Sequence, residues 1–404
     1  MKDAKIGVHD PTIIQAEGKY YLYSTDTQQP ETSGVPIRSS EDLVHWQFEK
    51  AALEGVPTDA RSWSQATGLW APEIIKVKDE YRMYYSASTF GSTTSFIGLA
   101  VAKHPLGPWE DRGEVVKTSI EIADHNAIDA NICWDRSGKP WMVYGSFFGG
   151  IYIAEINEET GKLANPGYGK RLAIRSQSVE GAIEGPFIKY HAETDYFYLF
   201  VSFDSLNDFY NIRVARSRSI DGPYVDYFGN EMTDLESHPD QVGTKLIGGY
   251  QFKGEPIVYA PGHNSLFSDT KTGREFIVHH ARKEQHSDQF YLQIRSLFWL
   301  SNGWPAVSAY EYTGAVEVVG DEKADVEEIR VTDKQTDLAG VWELIDFSSA
   351  DVQVGTHQAN LAEWLGSESC YVLYKELSSD QLFISGMRAG VSFFGKKLKD
   401  DLLD

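Results

Sequence analysis

Short apolar runs alternate with polar turns along most of this chain, and residues 126–156 show the pattern most fully. An apolar run at residues 130–134 is followed by a turn of Asp, Arg, Ser and Gly, which includes the residue types that turns favour. Two further runs, at residues 139–147 and 151–156, are rich in aromatic and β-branched side chains. The pattern therefore predicts a unit of consecutive short strands.

This unit occurs five times along the chain. Equivalent positions at the heads of the units are separated by steps of 61, 58, 56 and 77 residues, and they are Pro11, Pro72, Ala130, Pro186 and His263. Steps of this length exceed a single hairpin and suit a four-stranded sheet with its loops. Repeated sheets arranged radially form a β-propeller, so we expect an all-β fold with five blades. An ordinary β-sandwich with chance similarity between its strands is the alternative.

The pattern changes after residue 312. Residues 313–337 are acidic and lack the unit, and the chain from residue 338 shows several short alternating strands. We therefore predict a propeller domain at residues 1–320 and a small, barrel-like C-terminal β domain at residues 321–404. The C-terminal domain could either cover an exposed sheet edge or bind ligand. An insertion at residues 226–259 accounts for the 77-residue step.

Composition narrows the range of partners. Hydrophobic residues make up 42% of the 404 residues and aromatic residues 13%, which indicates a globular, strand-rich protein. The formal net charge is −22 without a cluster of Lys and Arg, which argues against nucleic acid and anionic membranes as partners. No apolar run reaches the length of about 18 residues that a membrane-spanning helix needs.

The cysteines and the N-terminus bear on the compartment. The two cysteines, Cys133 and Cys370, lie far apart in sequence, so we expect free thiols rather than a disulfide framework. The first ten residues lack the apolar core of a signal peptide. We expect a cytoplasmic protein if Met1 is the native start, and a secreted protein if a signal peptide has been removed.

Acidic residues stand at three strand heads, at Asp10, Asp129 and Glu184. The inner strands of a propeller run along its central channel, so these heads would converge at one mouth of the channel. Clustered carboxylates raise one another's pKa and are costly without a task. Glycoside hydrolysis requires a protonated and an ionised carboxyl group on opposite sides of the scissile bond. A single Asp could cap a turn instead, but three acids at corresponding heads favour catalysis.

Several motifs carry a resemblance to a known family. HDPTII, GLWAPEII, NAIDANICWDRSGKPWMVYGSFFGGIY, EGAIEGPFI, LFVSFDS and GHNSLF resemble glycoside hydrolase family 43 over about residues 8–310, most of all its endo-1,5-α-L-arabinanases. The resemblance implies a five-bladed propeller that cleaves arabinan with inversion. The C-terminal part is similar to a small β domain that some of these enzymes carry. The alternatives are an exo-acting β-xylosidase or α-L-arabinofuranosidase and a non-catalytic sugar-binding propeller.

The resemblance also implies roles for the three acids. It makes Asp10 the general base, Asp129 the residue that tunes the pKa of the acid and positions substrate, and Glu184 the general acid. Glu180, four residues before Glu184, is the alternative acid. Ala130 stands where many relatives have proline after the Asp, which we expect to change rigidity rather than mechanism.

His263 matches a family position in the channel below the active site, close to a bound ion that is usually calcium. A hydrogen-bonded channel histidine is the alternative, because imidazole is an unusual calcium ligand. Aromatic rings pack on the apolar faces of sugars, and polar side chains near the heads can bind hydroxyl groups. The predicted substrate-binding residues are Trp70, Phe147, Ser146, Asn131 and Arg295. Phe147 and Phe148 would alternate in direction on a regular strand, so we expect one of them to contact substrate.

Overall fold

The computed structural model describes residues 4–27, 33–284, 286–314, 316–318, 338–376 and 381–398. These residues form 28 strands, which confirms the all-β prediction. Two short α-helices, α1 (Thr58–Ser64) and α2 (Leu361–Leu365), and two 3-10 turns at Gln177–Val179 and Pro239–Gln241 accompany them. None of the helices in these ranges is long and apolar enough to cross a membrane.

Five sheets of four strands lie within the described part of the chain, and each corresponds to one predicted unit. In every sheet the strands follow chain order, and neighbouring strands are antiparallel. The first two sheets comprise β1 (Thr12–Ala16), β2 (Lys19–Tyr23), β3 (Pro36–Ser40), β4 (Gln47–Ala51), β5 (Trp70–Val77), β6 (Glu80–Ala87), β7 (Ser95–Ala102) and β8 (Glu110–Thr118).

The remaining three of these sheets have the same topology. They comprise β9 (Asn131–Trp134), β10 (Pro140–Tyr144), β11 (Ile151–Glu155), β12 (Lys170–Ala173), β13 (Ile183–His191), β14 (Tyr196–Phe203), β15 (Asn211–Ser217), β16 (Thr244–Ile247), β18 (Tyr259–Ser268), β19 (Glu275–Lys283), β20 (His286–Trp299) and β21 (Pro305–Val307). A two-residue strand, β17 (Tyr250–Gln251), separates the fourth sheet from the fifth in sequence.

The first strands of the five sheets contact one another in chain order. Contacts join β1 to β5, β5 to β9, β9 to β13 and β13 to β18, and β18 also contacts β1. Apolar clusters fill the space between neighbouring sheets, as where Tyr23 of β2 and Tyr85 of β6 share one buried cluster. A fully buried large apolar side chain contributes about 1.5–3 kcal/mol, so these clusters hold the five first strands, and the loops before them, in place.

The C-terminal part forms a separate six-stranded sheet. Its order is β22 (Val316–Val318), β26 (Ser369–Glu376), β27 (Gln381–Arg388), β28 (Val391–Lys397), β23 (Trp342–Asp346) and β25 (Thr356–Gln358). The short strand β24 (Gln353–Val354) pairs in parallel with β17, which links this part to the segment between the fourth and fifth sheets. Ile345 and Phe394 share a buried cluster with Ile247 and Val307 of the fourth and fifth sheets.

The predicted boundary near residue 320 lies outside the described residues. The division into domains at residues 1–320 and 321–404 therefore stays a prediction. The cysteines are free, as expected: Cys133 is buried and Cys370 is partly buried.

Candidate active site

Asp10 lies just before β1 and is 7% exposed. Its backbone adopts a left-handed φ of 52°, a region in which Asp is more frequent than most residues. Thr25, at the end of the neighbouring β2, donates a hydrogen bond from Oγ1 to Asp10 Oδ2 at 2.5 Å. The N–H of Ala71 in the second sheet donates to the same Thr25 hydroxyl at 2.7 Å. Two sheets thereby fix the Asp10 carboxylate.

Three histidines surround the Asp10 carboxylate. His9 Nδ1 lies 2.8 Å from Oδ2, and His263 Nδ1 and His280 Nδ1 lie 3.1 and 3.7 Å from Oδ1. Burial by itself would raise the pKa of Asp10, but the charges of His263 and His9, the His9 hydrogen bond and then His280 hold it well below its usual value. Asp10 is therefore ionised at neutral pH.

Asp129 precedes β9 and is 6% exposed. Its N–H donates to Ser86 Oγ at 3.0 Å, and its Oδ2 accepts from the N–H of Gly185 at 3.2 Å. Burial raises the pKa of Asp129 well above its usual value, and the negative charges of Glu184 and Asp10 raise it further. The Gly185 hydrogen bond offsets only part of this effect. The pKa values of Asp129 and Asp10 are therefore shifted in opposite directions.

Glu184 is the second residue of β13 and is half-buried. Tyr210 donates its hydroxyl to Oε1 at 2.6 Å, and Ser146 donates Oγ to Oε2 at 3.0 Å. These two donors hold both carboxyl oxygens of Glu184 in one orientation. Glu180, by contrast, is exposed in the turn after the Gln177–Val179 3-10 helix. The structure thus brings Glu184 to the cluster and leaves Glu180 at the surface.

His263 connects the Asp10 side of the cluster to the Glu184 side. Its N–H donates to Ser202 Oγ of β14 at 2.7 Å, while its ring reaches Asp10. A Cβ atom on Gly185 would lie 3.1 Å from the His263 ring, so the glycine next to Glu184 allows this close approach. His280 also faces Asp10, whereas the His279 ring hydrogen-bonds the His280 carbonyl and the Arg295 guanidinium.

The metal expectation can be compared with these donors. Within the described ranges, one group of three ligand-type residues has atoms close enough to hold an ion, and it consists of His9, Asp10 and His280. Two imidazoles and one carboxylate suit a transition metal better than calcium. His263 offers a different geometry, because a ring nitrogen that faces a carboxylate leaves the other nitrogen available as a ligand. His263 does not belong to the group of three, and calcium at His263 stays a prediction.

Of the predicted aromatic platforms, Trp70 belongs to a strand, and Phe147 and Phe148 belong to a turn. Trp70 is half-exposed at the start of β5. Phe147 and Phe148 follow the end of β10 at Tyr144, and both have left-handed φ values, of 53° and 45°. The strand predicted to reach residue 147 thus ends three residues earlier. The argument that Phe147 and Phe148 alternate along a strand is therefore wrong, because a tight turn ending at Gly150 replaces the strand.

Two predicted substrate ligands are used inside the protein instead. Asn131 is buried, and its side chain donates to Glu73 Oε1 at 2.7 Å and accepts from the Ile188 N–H at 2.9 Å. Arg295 is 1% exposed, and its donors go to five acceptors: His279 Nε2, Tyr250 Oη, Gln293 Oε1 and the carbonyls of Ser308 and Ala309. The positions of Asn131 and Arg295 make them supports of the fold and contradict direct contact with substrate.

Sequence reasoning missed three residues that matter for the cluster. Tyr210 positions Glu184, Thr25 positions Asp10, and Glu73 accepts a hydrogen bond from Asn131, two residues after Asp129. Glu73 directly follows Pro72, which is one of the equivalent positions at the heads of the units. An acidic residue at this place in the repeat was a signal that could have pointed to Glu73. Tyr210 and Thr25 act across strands and sheets, and the pattern along the chain does not indicate their partners.

Glu73 provides a test of the buried polar network. Burial raises its pKa from 4.5 to about 7 despite hydrogen bonds from Asn131 and Thr12. Because the folded protein binds this proton more tightly than the unfolded chain, Glu73 lowers the free energy of unfolding as the pH rises from about 4.5 to 7. Glu73→Gln keeps the shape of the side chain but has no proton to lose. We therefore expect its free energy of unfolding, relative to that of wild type, to be up to about 3 kcal/mol higher at pH 8 than at pH 5.

Urea unfolding of wild type and Glu73→Gln at both pH values measures this difference. Glu54→Gln is the control, since Glu54 is exposed and the difference from wild type should stay constant with pH. A Glu73→Gln difference that is equally constant would contradict the assignment of a buried, proton-binding carboxyl group.

The fold and the cluster together define a class. An all-β scaffold that gathers one carboxyl group with a lowered pKa, one with a raised pKa and a third held by two hydroxyls has the equipment of a glycoside hydrolase. The sequence model of glycosyl hydrolases family 43 matches residues 5–305, and the chain belongs to this family.

Known relatives agree with this placement. The extracellular endo-α-(1→5)-L-arabinanase 2 of Bacillus subtilis (strain 168) is 34% identical over 391 residues, covering 86% of this chain and 78% of the relative. The crystal structure of an endo-1,5-α-L-arabinanase from Thermotoga petrophila RKU-1 has a TM-score of 0.78 at 27% identity and covers 97% of this chain and 98% of that one. The structure of a Cellvibrio cellulosa α-L-arabinanase complexed with arabinohexaose has a TM-score of 0.65 at 33% identity. The match covers 74% of this chain and 95% of that one.

Proposed function

We propose that this enzyme hydrolyses α-1,5-L-arabinofuranosidic bonds within arabinan and arabino-oligosaccharides, with inversion at the anomeric carbon. The observation that carries the mechanism is the opposite direction of the pKa shifts at two carboxyl groups. Three histidines lower the pKa of Asp10, while burial and acidic neighbours raise the pKa of Asp129. The similar Bacillus subtilis and Thermotoga petrophila enzymes are named as endo-arabinanases, which favours internal over terminal cleavage.

The scaffold we infer is a five-bladed β-propeller. Five four-stranded sheets with the same topology support it, as do the contacts that run from first strand to first strand and return from β18 to β1. In such an arrangement the loops before β1, β9 and β13 meet at one end of a central channel. Asp10, Asp129 and Glu184 then face the same bound substrate.

The proposed reaction is a single displacement. Asp10 removes a proton from a water molecule, and the water oxygen forms a bond to the anomeric carbon. The bond from that carbon to the glycosidic oxygen breaks, and Glu184 gives its proton to the leaving oxygen. An inverting enzyme needs room for this water between its two carboxyl groups. Tyr210 and Ser146 hold Glu184 in a fixed orientation for the transfer.

Asp129 has a supporting role in this proposal. The charges of Asp129 and Glu184 interact, so each carboxyl group influences the ionisation of the other. Asp129 also accepts a hydrogen bond from the N–H of Gly185, the residue that follows the acid. Trp70 and Phe147 are half-exposed aromatic residues beside the cluster. We propose that their rings pack against the apolar faces of bound furanose rings.

We also propose that a calcium ion is held by the free nitrogen of the His263 ring, with water as its other ligands. Such an ion would add positive charge beside Asp10 and help keep it ionised. Isothermal titration with CaCl2 tests this assignment: we expect wild type to bind about one ion and His263→Ala none. Equal binding by both proteins would show that the ion lies elsewhere.

The name of the Bacillus subtilis relative describes it as extracellular. We therefore favour the secreted alternative for this chain over the cytoplasmic one. Arabinan is a polymer too large to enter cells intact, which is consistent with an enzyme that acts outside them.

The substrate proposal is tested by product analysis. We expect linear arabinan to give a series of short oligosaccharides early in the reaction, and xylan to remain intact. Arabinose as the sole early product would instead indicate the exo-acting alternative. Oligosaccharide binding without any cleavage would indicate a sugar-binding protein.

A further inference from the structure

A cleft lies between the fourth sheet and the C-terminal sheet, away from the three carboxyl groups. Its volume is about 470 Å³, within the range of pockets that bind small ligands. One wall belongs to the long insertion of the fourth unit, and the other to two loops of the C-terminal part. The residues on which its chemistry depends are Phe228, Asn230, Gln241, Lys245, Ser348 and Ser349.

The wall formed by the insertion is held in a fixed shape. The buried Asp226 accepts hydrogen bonds from the N–H groups of Phe228 and Asn230, both at 2.9 Å, and from that of Gly243 at 3.0 Å. Arg213 of β15 donates to two backbone carbonyls of the same insertion, those of Asp240 and Val242, at 2.8 and 2.9 Å. The wall therefore exists before any ligand binds.

An aromatic ring stands at the edge of the cleft. The Phe228 side chain is 66% exposed, although Tyr227 packs against its ring edge to face at 5.4 Å. The C-terminal hairpin approaches so closely at Gly390 that a Cβ atom there would lie 2.5 Å from Phe228 Cζ. Leaving a large apolar ring exposed costs hydrophobic free energy, which a ligand packed on the ring would recover.

The polar groups of the cleft suit a neutral ligand rich in hydroxyl groups. Gln241 carries an amide, and Ser348 and Ser349 carry hydroxyls, so donors and acceptors are both present. The Asn230 amide already donates to Asp226 and to the Gln241 backbone carbonyl, both at 3.1 Å. The charged groups already have partners: Lys245 Nζ donates to the Ser349 carbonyl at 2.6 Å, and Asp240 lies 3.6 Å from Arg175. An aromatic ring beside uncharged donors and acceptors is a surface on which sugars bind.

The strand β15 joins the cleft to the catalytic cluster. Arg213, which lines the cleft, is three residues beyond Tyr210, the hydroxyl partner of Glu184. At about 3.3 Å per residue, this separation is about 10 Å along the chain. A polymer that extends beyond the catalytic carboxyl groups is long enough to span this distance.

We propose that this cleft is a second binding site for a neutral pentose oligosaccharide, through which the C-terminal part helps to retain long substrate chains. The proposal rests on the proposed function, because it takes arabinan as the polymer. A second contact on the same chain makes binding partly intramolecular and raises the apparent affinity for the polymer without touching the chemistry.

Kinetics on long and short substrates test the proposal. We expect Phe228→Ala and Gln241→Ala each to raise KM for linear arabinan by about three- to tenfold, with kcat unchanged and with no change in KM for arabinotriose. Phe48→Ala is the matched control, since Phe48 is 42% exposed on β4 and does not line the cleft. Thermal unfolding of all three variants reports whether the interface between the two parts has loosened.

A binding measurement separates this proposal from the proposed function. Titration of the Glu184→Gln protein with arabinohexaose should give two sites, and the additional change Phe228→Ala should leave one. One site in both proteins, or an unchanged KM for arabinan in both cleft variants, overturns the second site while leaving the hydrolase intact. Absence of both hydrolysis and binding overturns the proposed function and this proposal with it.

Discussion

Replacing Glu184 with glutamine is expected to lower kcat on linear arabinan by about 10²–10⁴-fold, the usual contribution of a general acid. Glutamine has nearly the same size and can keep contacts with Tyr210 and Ser146, but it has no proton to give to the leaving oxygen. Thermal stability should stay close to wild type, because Glu184 is half-buried and both of its partners are hydroxyl groups that can adapt to an amide. Initial rates of reducing-sugar release measure the effect.

Glu180→Gln is the control for this experiment, since Glu180 is the alternative acid in the sequence and lies exposed. Its activity should match wild type. A leaving group that needs no proton should restore much of the activity of Glu184→Gln, so an aryl arabinofuranoside with an acidic phenol should be cleaved far better than arabinan. Loss of activity in Glu180→Gln with normal activity in Glu184→Gln would reverse the assignment.

Asp10→Asn is expected to lower kcat by a similar factor, for a different reason. Asparagine cannot take a proton from the attacking water, so the water remains a weak nucleophile. In the wild type, the low pKa of Asp10 should keep the base ionised at neutral pH, so that protonation inactivates it only in acidic solution. The acid limb of the kcat/KM profile should therefore lie below the usual range for Asp, and it should vanish in Asp10→Asn.

Sodium azide separates a lost base from a damaged site. The azide anion needs no deprotonation, so it should restore turnover in Asp10→Asn and yield an arabinosyl azide of inverted configuration. Asp59→Asn changes an exposed Asp in α1 and should behave as wild type with or without azide. Normal hydrolysis by Asp10→Asn, or an azide product of retained configuration, would exclude Asp10 as the base of an inverting reaction.

Much of the scaffold could be predicted from the sequence. The spacing of the strand heads anticipated five four-stranded sheets, because apolar alternation and turn residues act over a few neighbouring positions. The early end of β10 before Phe147 was missed, since two successive left-handed residues that are not glycine have no clear signature in the sequence.

The partners of individual side chains were less predictable. Asn131 and Arg295 were predicted to bind substrate, but their partners come from other strands and other sheets, and these partners leave both side chains buried. Tyr210 was not singled out, although it lies just before β15 and donates to Glu184, which is 26 residues earlier in the chain. The packing of neighbouring sheets decides which polar side chains form hydrogen bonds with one another.

The sequence by itself determined the repeated strands and the three acids at their heads, because both are expressed in local order along the chain. The tertiary structure alone decided the directions in which the pKa values of Asp10 and Asp129 shift. Asp10 and Asp129 occupy equivalent positions in their units. Three imidazoles face Asp10, whereas Asp129 is buried beside two other carboxyl groups. Charge interactions act through space, so residues distant in sequence set these opposite pKa values.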